Sequence, residues 1–598
     1  MTNSIREIQD AKVLFVIGSN TTEAHPVVSY YMKRAVRKGA TLIVCDPRRI
    51  DLLRWATHHV QHRVGTDVAL LNGLMCEIIE RGWADREFVE NHTENYEKLC
   101  KVVSEYPLEK VSEITGVDAG VLGEVARIIG TTKPMGLYYT LGITEHTCGT
   151  DNVMSCANLQ MLLGNLGYPS GGVNPLRGQN NVQGACDMGS LPNVLVNYQS
   201  VTDPKAIARF KKGWNVPTLP EVPGLKMPTM FSGMLDGRTR AFLCHGENVV
   251  MTEPNEAHTI KCLKALDFLA VLDIFPNQTT PYADVIFPCA CWSEQDGTFT
   301  NTERRVQRVR KAVEPPGDSR EAWWIYAELA RRLGYDMGFS GAESVWEDMR
   351  SLSTSYAGIP WSRIETSGIQ WPAPTLEHPG TGYLHKGGNF SRGKGMFMPA
   401  AWRPPAEVPD AKYPLTLSTG RRLWHYHSGT QTRNCAGFDD LFGEELVEVS
   451  PEDARALAIA DGEYVWVVSR RGRVRMKAWV TDRSPKGVLW SSFHFHEAHI
   501  NVGTNNAFDP VTETADDDPE MLECSARGCR AEAAWGLRWN NPRIHDQARR
   551  KTWLACEDHR ASLGQHLQVR ERRRADLDPV GAGGAVADGV VAVLSLGA

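Results

Sequence analysis

The run Val-Leu-Phe-Val-Ile at residues 13–17 has no polar position, and that narrows the fold more than any other feature of the chain. A strand with one face in water alternates in polarity. A strand apolar throughout is buried on both faces, as in a parallel sheet covered by helices. The flanking sequence agrees. The run ends in Gly18-Ser19-Asn20. Residues 25–38 then place Val27, Val28, Tyr31, Met32 and Val36 at helical spacing and stop at Gly39. A second apolar run, 41–44, ends in Cys45-Asp46-Pro47-Arg48. Strand, helix, strand is a βαβ unit, and ligands of such sheets sit beyond the carboxyl ends of the strands. The GxGxxG fingerprint is absent, so an ordinary nicotinamide site is not supported. A nucleotide site and an empty α/β layer both stay open.

At 598 residues the chain has room for roughly four domains. A second α/β region runs over 177–336. It holds strand-like segments in ALDFLAVLDIF, which reaches Asp273, and ADVIFPCACW, then an amphipathic helix in REAWWIYAELARRLGY. Residues 372–414, rich in Pro and Gly, read as a linker. Beyond it, Ser450 caps a helix with Pro451 at its first position. EYVWVVSRRGRVRMKAWV reads as a hairpin around Arg470-Arg471-Gly472, and KGVLWSSFHF adds a strand, so 410–515 is expected to be a β-barrel.

The bulk numbers exclude several classes. A net charge of −6 argues against a nucleic-acid-coating protein, which needs a basic excess. No apolar run approaches the roughly 18 residues of a membrane span, and residues 1–18 lack a signal-peptide pattern. The 14 cysteines are mostly scattered singly, the usage of reduced thiols in a cytoplasmic protein.

The unusual stretch is NPLRGQNNVQGACDMG, residues 174–189. The amides of Asn180, Asn181 and Gln183 donate and accept at once, which suits a heterocycle such as a pterin or purine. Arg177 offers a planar fork for a carboxylate or phosphate, and Gly178 allows close approach. A polar loop that satisfies itself is the competing reading.

This stretch, with VIGSNTTEAHP, TLIVCDPRR, HGENVVMTEPN, LDIFPNQTTPYADVIFP, EQDGTFTNTERRVQR, LSTGRRLWHYHSGTQTRN and FDPVT in order, closely resembles the formate dehydrogenase large subunits of the molybdopterin oxidoreductase family. The resemblance covers about residues 3–514. It implies an α/β protein with two doubly wound nucleotide-binding domains, 1–176 and 177–400, and the C-terminal barrel. It implies a molybdenum or tungsten ion held by two molybdopterin guanine dinucleotides (bis-molybdopterin guanine dinucleotide), formate as substrate, and roles at matching positions. Asn20, Cys45, Asp46, Arg48, Gly65 and Asp67 would contact one guanosine and its phosphates. Gly246, Glu247, Asn248, Thr252 and Asp273 would hold the other. Leu141, Glu145, Gly178 and Gln179 would approach the pterin, with Arg421, His425 and Asn505 reaching in from the barrel. Arg177 matches the arginine that orients formate beside the metal.

Two departures stand against the matches. Family members begin with a cysteine-rich segment that binds a [4Fe–4S] cluster, followed by the cysteine or selenocysteine that ligates the metal. Here the first cysteine is Cys45, followed by isolated Cys76 and Cys100, so no cluster array is present. The expectation is that Met1 is an internal methionine of a longer frame and that the chain alone does not oxidise formate. A separate N-terminal iron–sulfur fragment or an electron-transfer subunit would complete it. At the other end, Cys524, Cys529, Cys556 and His559 have the spacing of a small zinc-ribbon-like module over 520–570. A structural zinc and three free cysteines are the alternatives there. Residues 571–598 read as a low-complexity tail.

Other residues have plainer readings. His494, His496, His499 and Glu497 are expected to be polar lining. Glu303-Arg304-Arg305 is expected to be an ion-paired rim. Cys186, with no basic neighbour in sequence, is expected to be a small buried residue. Three functions follow: the body of a formate dehydrogenase, a non-catalytic cofactor-binding subunit, or a passenger carrying a zinc module.

Overall fold

The computed structural model describes residues 1–504 and 507–513, and beyond these the backbone of 515–516, 535–539, 551–555, 576–579 and 590–596. The first sheet is parallel throughout. Its strands are β1 (Val13–Ile17), β2 (Thr41–Cys45), β3 (His58–Val60), β4 (Met135–Tyr139) and β5 (Val173–Pro175), in the order β3-β2-β1-β4-β5. All five residues of β1 and of β4 are buried, as the unbroken apolar run predicts. Helix α1 (Pro26–Arg37) packs Val28, Met32 and Ala35 on one face of the sheet, with Leu14, Val16, Leu42 and Val44. Helices α2 (Asp67–Glu80) and α3 (Gly149–Leu162) cover the other face through Leu70, Leu71, Leu74, Leu159 and Leu162. The order turns back between β1 and β4, and the loops beyond those two strands make the crevice at which α/β sheets bind ligands.

The second parallel sheet is smaller: β6 (Ala241–His245), β7 (Phe268–Asp273) and β8 (Val285–Pro288), with β7 in the middle. Helices α4 (Met227–Asp236) and α5 (Glu256–Leu263) lie on one face against Cys244, Leu269 and Val271. Helix α6 (Ala322–Arg332) touches the other through Ile325, against Leu272 and Phe287.

The third body is a barrel of β9 (Leu415–Gly420), β10 (Leu446–Val449), β11 (Tyr464–Val468), β12 (Arg473–Val480) and β13 (Val488–Ser492), closed by β14 (Val590–Leu596) beside Leu415–Leu417 in the order β9-β13-β10-β12-β11-β14. The expected hairpin is β11–β12, and Ser450 accepts from the Asp453 N–H at 3.1 Å, as a cap should. The segment 372–414 is not a free tether. Phe397 is fully buried in the first domain, Trp402 donates from Nε1 to the Gly65 carbonyl at 2.9 Å, and Pro405 lies against Gly65. Glu303 and Arg305 form the expected ion pair at 2.8 Å, but the stretch is buried rather than a rim. Arg304 is 2% exposed and donates to the carbonyls of Met1, Trp371 and Thr381.

Among the described residues no helix is long and apolar enough to cross a membrane. Cys524, Cys529, Cys556 and His559 lie outside the described residues, as does Asn505.

Candidate functional site

The carboxyl ends of the first sheet bring most of the expected residues to one side. Gly18 leaves β1 at φ +55°, and a Cβ on it would sit 2.6 Å from the Gly142 backbone. The Gly142 N–H bonds the Gly18 carbonyl at 3.2 Å, and Thr140 Oγ1 bonds it at 2.7 Å. Two glycines thus let the loops after β1 and β4 touch backbone to backbone at the crevice. Beside this contact, the Asn20 Nδ2 is buried and without a hydrogen-bond partner. Leu141 is half-buried, and Glu145 faces Arg421 of the barrel at 3.8 Å.

Arg177 leaves the end of β5. Its main chain is pinned from two sides: the N–H donates to Thr302 Oγ1 at 3.2 Å, and the carbonyl accepts from His25 Nε2 at 2.6 Å. Burial lowers the His25 pKa, against the pull of the Arg177 carbonyl. The guanidinium is left open. Its Nε is buried without a partner, and its Nη1 has a 4.0 Å contact with Cys186 Sγ. A carboxylate would satisfy that fork, since guanidinium and carboxylate match bidentately. Cys186 therefore does have a basic neighbour, nine residues away in sequence and adjacent in space. Around Gly178, next along the chain, a Cβ would meet nothing within 4 Å.

The rest of the amide-rich stretch is less open than its composition implies. Asn181 Oδ1 accepts from the Thr300 N–H at 2.9 Å. Gln183 Nε2 donates to Asp187 at 2.8 Å. Asp187 is buried and also receives Tyr198, Tyr356 and Trp371. Burial raises its pKa in spite of those donors. These amides hold the loop to the second domain, while Arg177 and Gly178 form its exposed working edge.

The acidic positions of the first domain are engaged. Asp67 accepts from His62 Nε2 at 2.9 Å, with both side chains buried. Burial opposes the imidazolium, but the Asp67 charge and hydrogen bond outweigh it and raise His62. Burial likewise opposes the Asp67 anion, and His62 outweighs it and lowers Asp67. Asp46 accepts from the Arg48 N–H at 2.8 Å, and burial raises its pKa. Cys45 is fully buried, and burial pushes its thiol well up, so it is an inert neighbour here.

Arg48 has a different engagement from the one expected. Its Nη2 donates to both Glu448 oxygens at 2.8 and 2.9 Å, and its guanidinium lies 3.6 Å over the Trp490 ring. Glu448, fully buried on β10, also meets Arg422 at 3.4 Å and Arg483 at 3.7 Å. Arg48 therefore clamps the barrel to the first sheet. His425 is spent similarly, with Nε2 donating to the Phe442 carbonyl at 2.6 Å and Nδ1 3.2 Å from Thr432 Oγ1. Of the other histidines, His499 donates to the Met251 carbonyl at 2.9 Å. Burial holds His494 down to about 3, and its Nε2 accepts the Arg422 N–H at 3.0 Å.

The second sheet repeats the arrangement. After β6, Gly246 takes φ +63°, with nothing within 4 Å of a Cβ. Glu247 caps its own turn through the Asn248 N–H at 3.1 Å and hydrogen-bonds Thr252, and burial raises its pKa. Asn248, 2% exposed, bonds Gln278, Thr279 and Thr430 of the barrel. Asp273 ends β7 holding Asn277 Nδ2 at 2.7 Å, and burial raises it. Among the described residues no cluster of three or more His, Cys, Asp or Glu could hold a metal ion.

Three features of the protein therefore fit a cofactor with two nucleotide arms and an anionic substrate. Two parallel sheets each end in an open glycine turn (Gly178 on the first, Gly246 on the second). A buried amide, Asn20, awaits an acceptor. An arginine fork awaits an anion. Residues 1–332 match the Molybdopterin oxidoreductase family, and residues 415–516 match the Molydopterin dinucleotide binding domain. The F420-dependent formate dehydrogenase subunit alpha of Methanocaldococcus jannaschii is 43% identical over 531 residues, 88% of this chain and 78% of the relative. Formate dehydrogenase H of Escherichia coli is 37% identical over 532 residues, 88% of this chain and 74% of the relative. Acetylene hydratase from Pelobacter acetylenicus shares the fold, with a TM-score of 0.66 at 20% identity over 86% of this chain and 79% of that one. The motif order, the paired sheets and these likenesses agree: the chain belongs to the molybdopterin oxidoreductase family, among relatives that are formate dehydrogenase alpha subunits.

Proposed function

We propose that this chain is the cofactor-holding body of a molybdenum or tungsten formate dehydrogenase that oxidises formate to carbon dioxide. The observation that carries the reading is Arg177, a guanidinium with a buried, unpartnered Nε at the carboxyl end of a parallel sheet. The bis-molybdopterin guanine dinucleotide, when bound, supplies the two-electron acceptor. The chain's own part is binding and orientation. The Arg177 fork takes both oxygens of formate and fixes the direction of its C–H bond. His25 and Thr302 hold the arginine's backbone so that its reach is set. Gly178 and Gly246 leave room for the pterin and nucleotide arms, and Asn20 supplies an amide donor.

Several partner readings accompany this one. A front iron–sulfur fragment or electron-transfer subunit completes the enzyme. Cysteines scattered singly along the sequence support a reducing, cytoplasmic setting. A zinc ion on Cys524, Cys529, Cys556 and His559 rests on ligand spacing and is tested by zinc analysis of the purified chain.

The test is formate-dependent dye reduction by the chain co-expressed with a relative's front segment. Arg177→Ala is expected to lower kcat/KM by about a hundredfold or more, with Arg177→Lys between it and the parent. Equal rates for all three would remove Arg177 from substrate binding.

A further inference from the structure

A guanidinium offers a carboxylate more than one bidentate edge: end-on, through both Nη atoms, or side-on, through Nε and one Nη. At Arg177 these edges are not equivalent. Nη1 is turned to the Cys186 sulfur at 4.0 Å, the reach of a weak N–H···S hydrogen bond. Nε is buried, and neither it nor Nη2 has a hydrogen-bond partner among the described residues. The thiol stands against the end-on edge and leaves the side-on edge to a ligand.

The thiol is held firmly in that position. Cys186 lies in the short helix Val182–Asp187, which is pinned at both ends. At its start, Asn181 Oδ1 accepts from the Thr300 N–H at 2.9 Å and lies so near Gly184 that a Cβ there would meet it at 2.2 Å. At its end, Asp187 accepts from Gln183 Nε2 and Trp371 Nε1, each at 2.8 Å, from the Tyr198 hydroxyl at 2.9 Å and from the Tyr356 hydroxyl. Four donors on one fully buried carboxylate fix the residue next to Cys186. To deliver Tyr198, the backbone turns left-handed at two consecutive non-glycine residues, Asn197 and Tyr198, both at φ +58°. Such conformations are costly, persist only where the surroundings over-determine them, and cluster at working sites. The main chain of Arg177 is itself held by His25 and Thr302. Arginine and thiol thus meet from fixed bases.

We infer that Cys186 is a positioning residue: by engaging Nη1 it directs the substrate carboxylate to the side-on edge of Arg177, Nε with Nη2. This deepens the reading of Arg177 as the formate fork, and rests on it. Two N–H···O bonds form on either edge, so the choice of edge changes affinity little. It changes direction much, because moving the carboxylate between edges swings the formate C–H bond within the guanidinium plane. A misplacement of about 1 Å can cost about a hundredfold in rate.

The experiment uses the full chain co-expressed with a relative's front segment, as parent and as Cys186→Ala, Cys186→Ser and Cys186→Asp. Two readouts are taken on each: kcat and KM for formate with a dye acceptor, and formate binding by NMR titration of labelled formate. Cys186→Ala opens the end-on edge, so kcat is expected to fall about tenfold or more while KM and the binding constant stay within about threefold. Cys186→Ser keeps an acceptor for Nη1 and should recover most of that kcat. Cys186→Asp places its own carboxylate on the fork and should weaken formate binding about tenfold or more. An unchanged kcat in the alanine variant, a serine variant no better than alanine, or formate binding untouched by aspartate overturns the inference. So does formate binding that weakens in step with kcat in the alanine variant, which would make the thiol a plain support of the site. Guanine nucleotide content, counted on each variant, separates a misfolded protein from a misdirected substrate. The titration needs no turnover. A parent that binds formate without oxidising it sinks the enzyme reading alone, and the aspartate variant still decides the edge. A parent that does not bind formate sinks both.

Discussion

At the residue scale, the site is built by choosing which polar groups stay unpaired. Arg177 was legible in the sequence because an arginine amid amides and glycines has few structural uses. The engagement of Arg48 was not, since its partner Glu448 lies 400 residues away and only the fold joins them. Asn181 and Gln183 look like ligand groups in sequence, but Thr300 and Asp187 claim them in space. The His62–Asp67 pair gives a prediction with a definite sign. The raised His62 contributes stability in full below about 6.5, lost as pH rises through its higher folded value. The lowered Asp67 contributes in full above about 3.8, lost as pH falls through its folded value. The pair is therefore strongest between those limits. Asp67→Asn should lower the His62 pKa, because both the charge and the hydrogen bond of Asp67 are lost while burial stays, with only the Val60 carbonyl and Asp46 still favouring the imidazolium, and histidine C–H shifts followed by NMR titration check it. A His62 value unmoved by the substitution would contradict the pairing.

At the element scale, the strands declared themselves by polarity pattern, and β1, β2, β7, β8 and the β11–β12 hairpin lie where the sequence puts them. The stretch 372–414 was opaque because Pro and Gly spacing reports only that no regular element forms. Its packing of Phe397 and Trp402 onto the first domain depends on surfaces elsewhere in the chain. The glycine contact at the crevice is an element-scale device and can be tested by contrast. Gly142→Ala would drive a Cβ to 2.7 Å from the Gly18 Cα, backbone against backbone. It should cost about 1–3 kcal/mol in denaturant unfolding. Gly178→Ala meets open space and should change stability by less than about 0.5 kcal/mol, yet lower the cofactor content of the purified protein. Equal destabilisation by the two would mean the two turns are not built for different purposes.

At the scale of the whole molecule, three bodies are tied by a few buried polar links. Arg48, Arg422 and Arg483 converge on Glu448, and Ser484 adds a hydrogen bond at 3.1 Å. Truncating Glu448 to Ala would strip Arg48 of its buried carboxylate, while Arg483 keeps Glu23 and Arg422 keeps Glu445, and a loss of about 3–5 kcal/mol is expected in chemical unfolding. On the second domain, His499 and Asn501 of the barrel both reach the Met251 carbonyl. The barrel thus spans the ends of both parallel sheets, the position from which it can close over two nucleotide arms. In the proposed enzyme each sheet holds one arm. The direct measurement is guanine nucleotide released from the purified chain on acid treatment, counted against molybdenum and tungsten. Two guanine nucleotides per metal ion are predicted, falling to one when the turn after β6 is blocked by Gly246→Val. One nucleotide per metal in the parent protein, or none, would contradict the account.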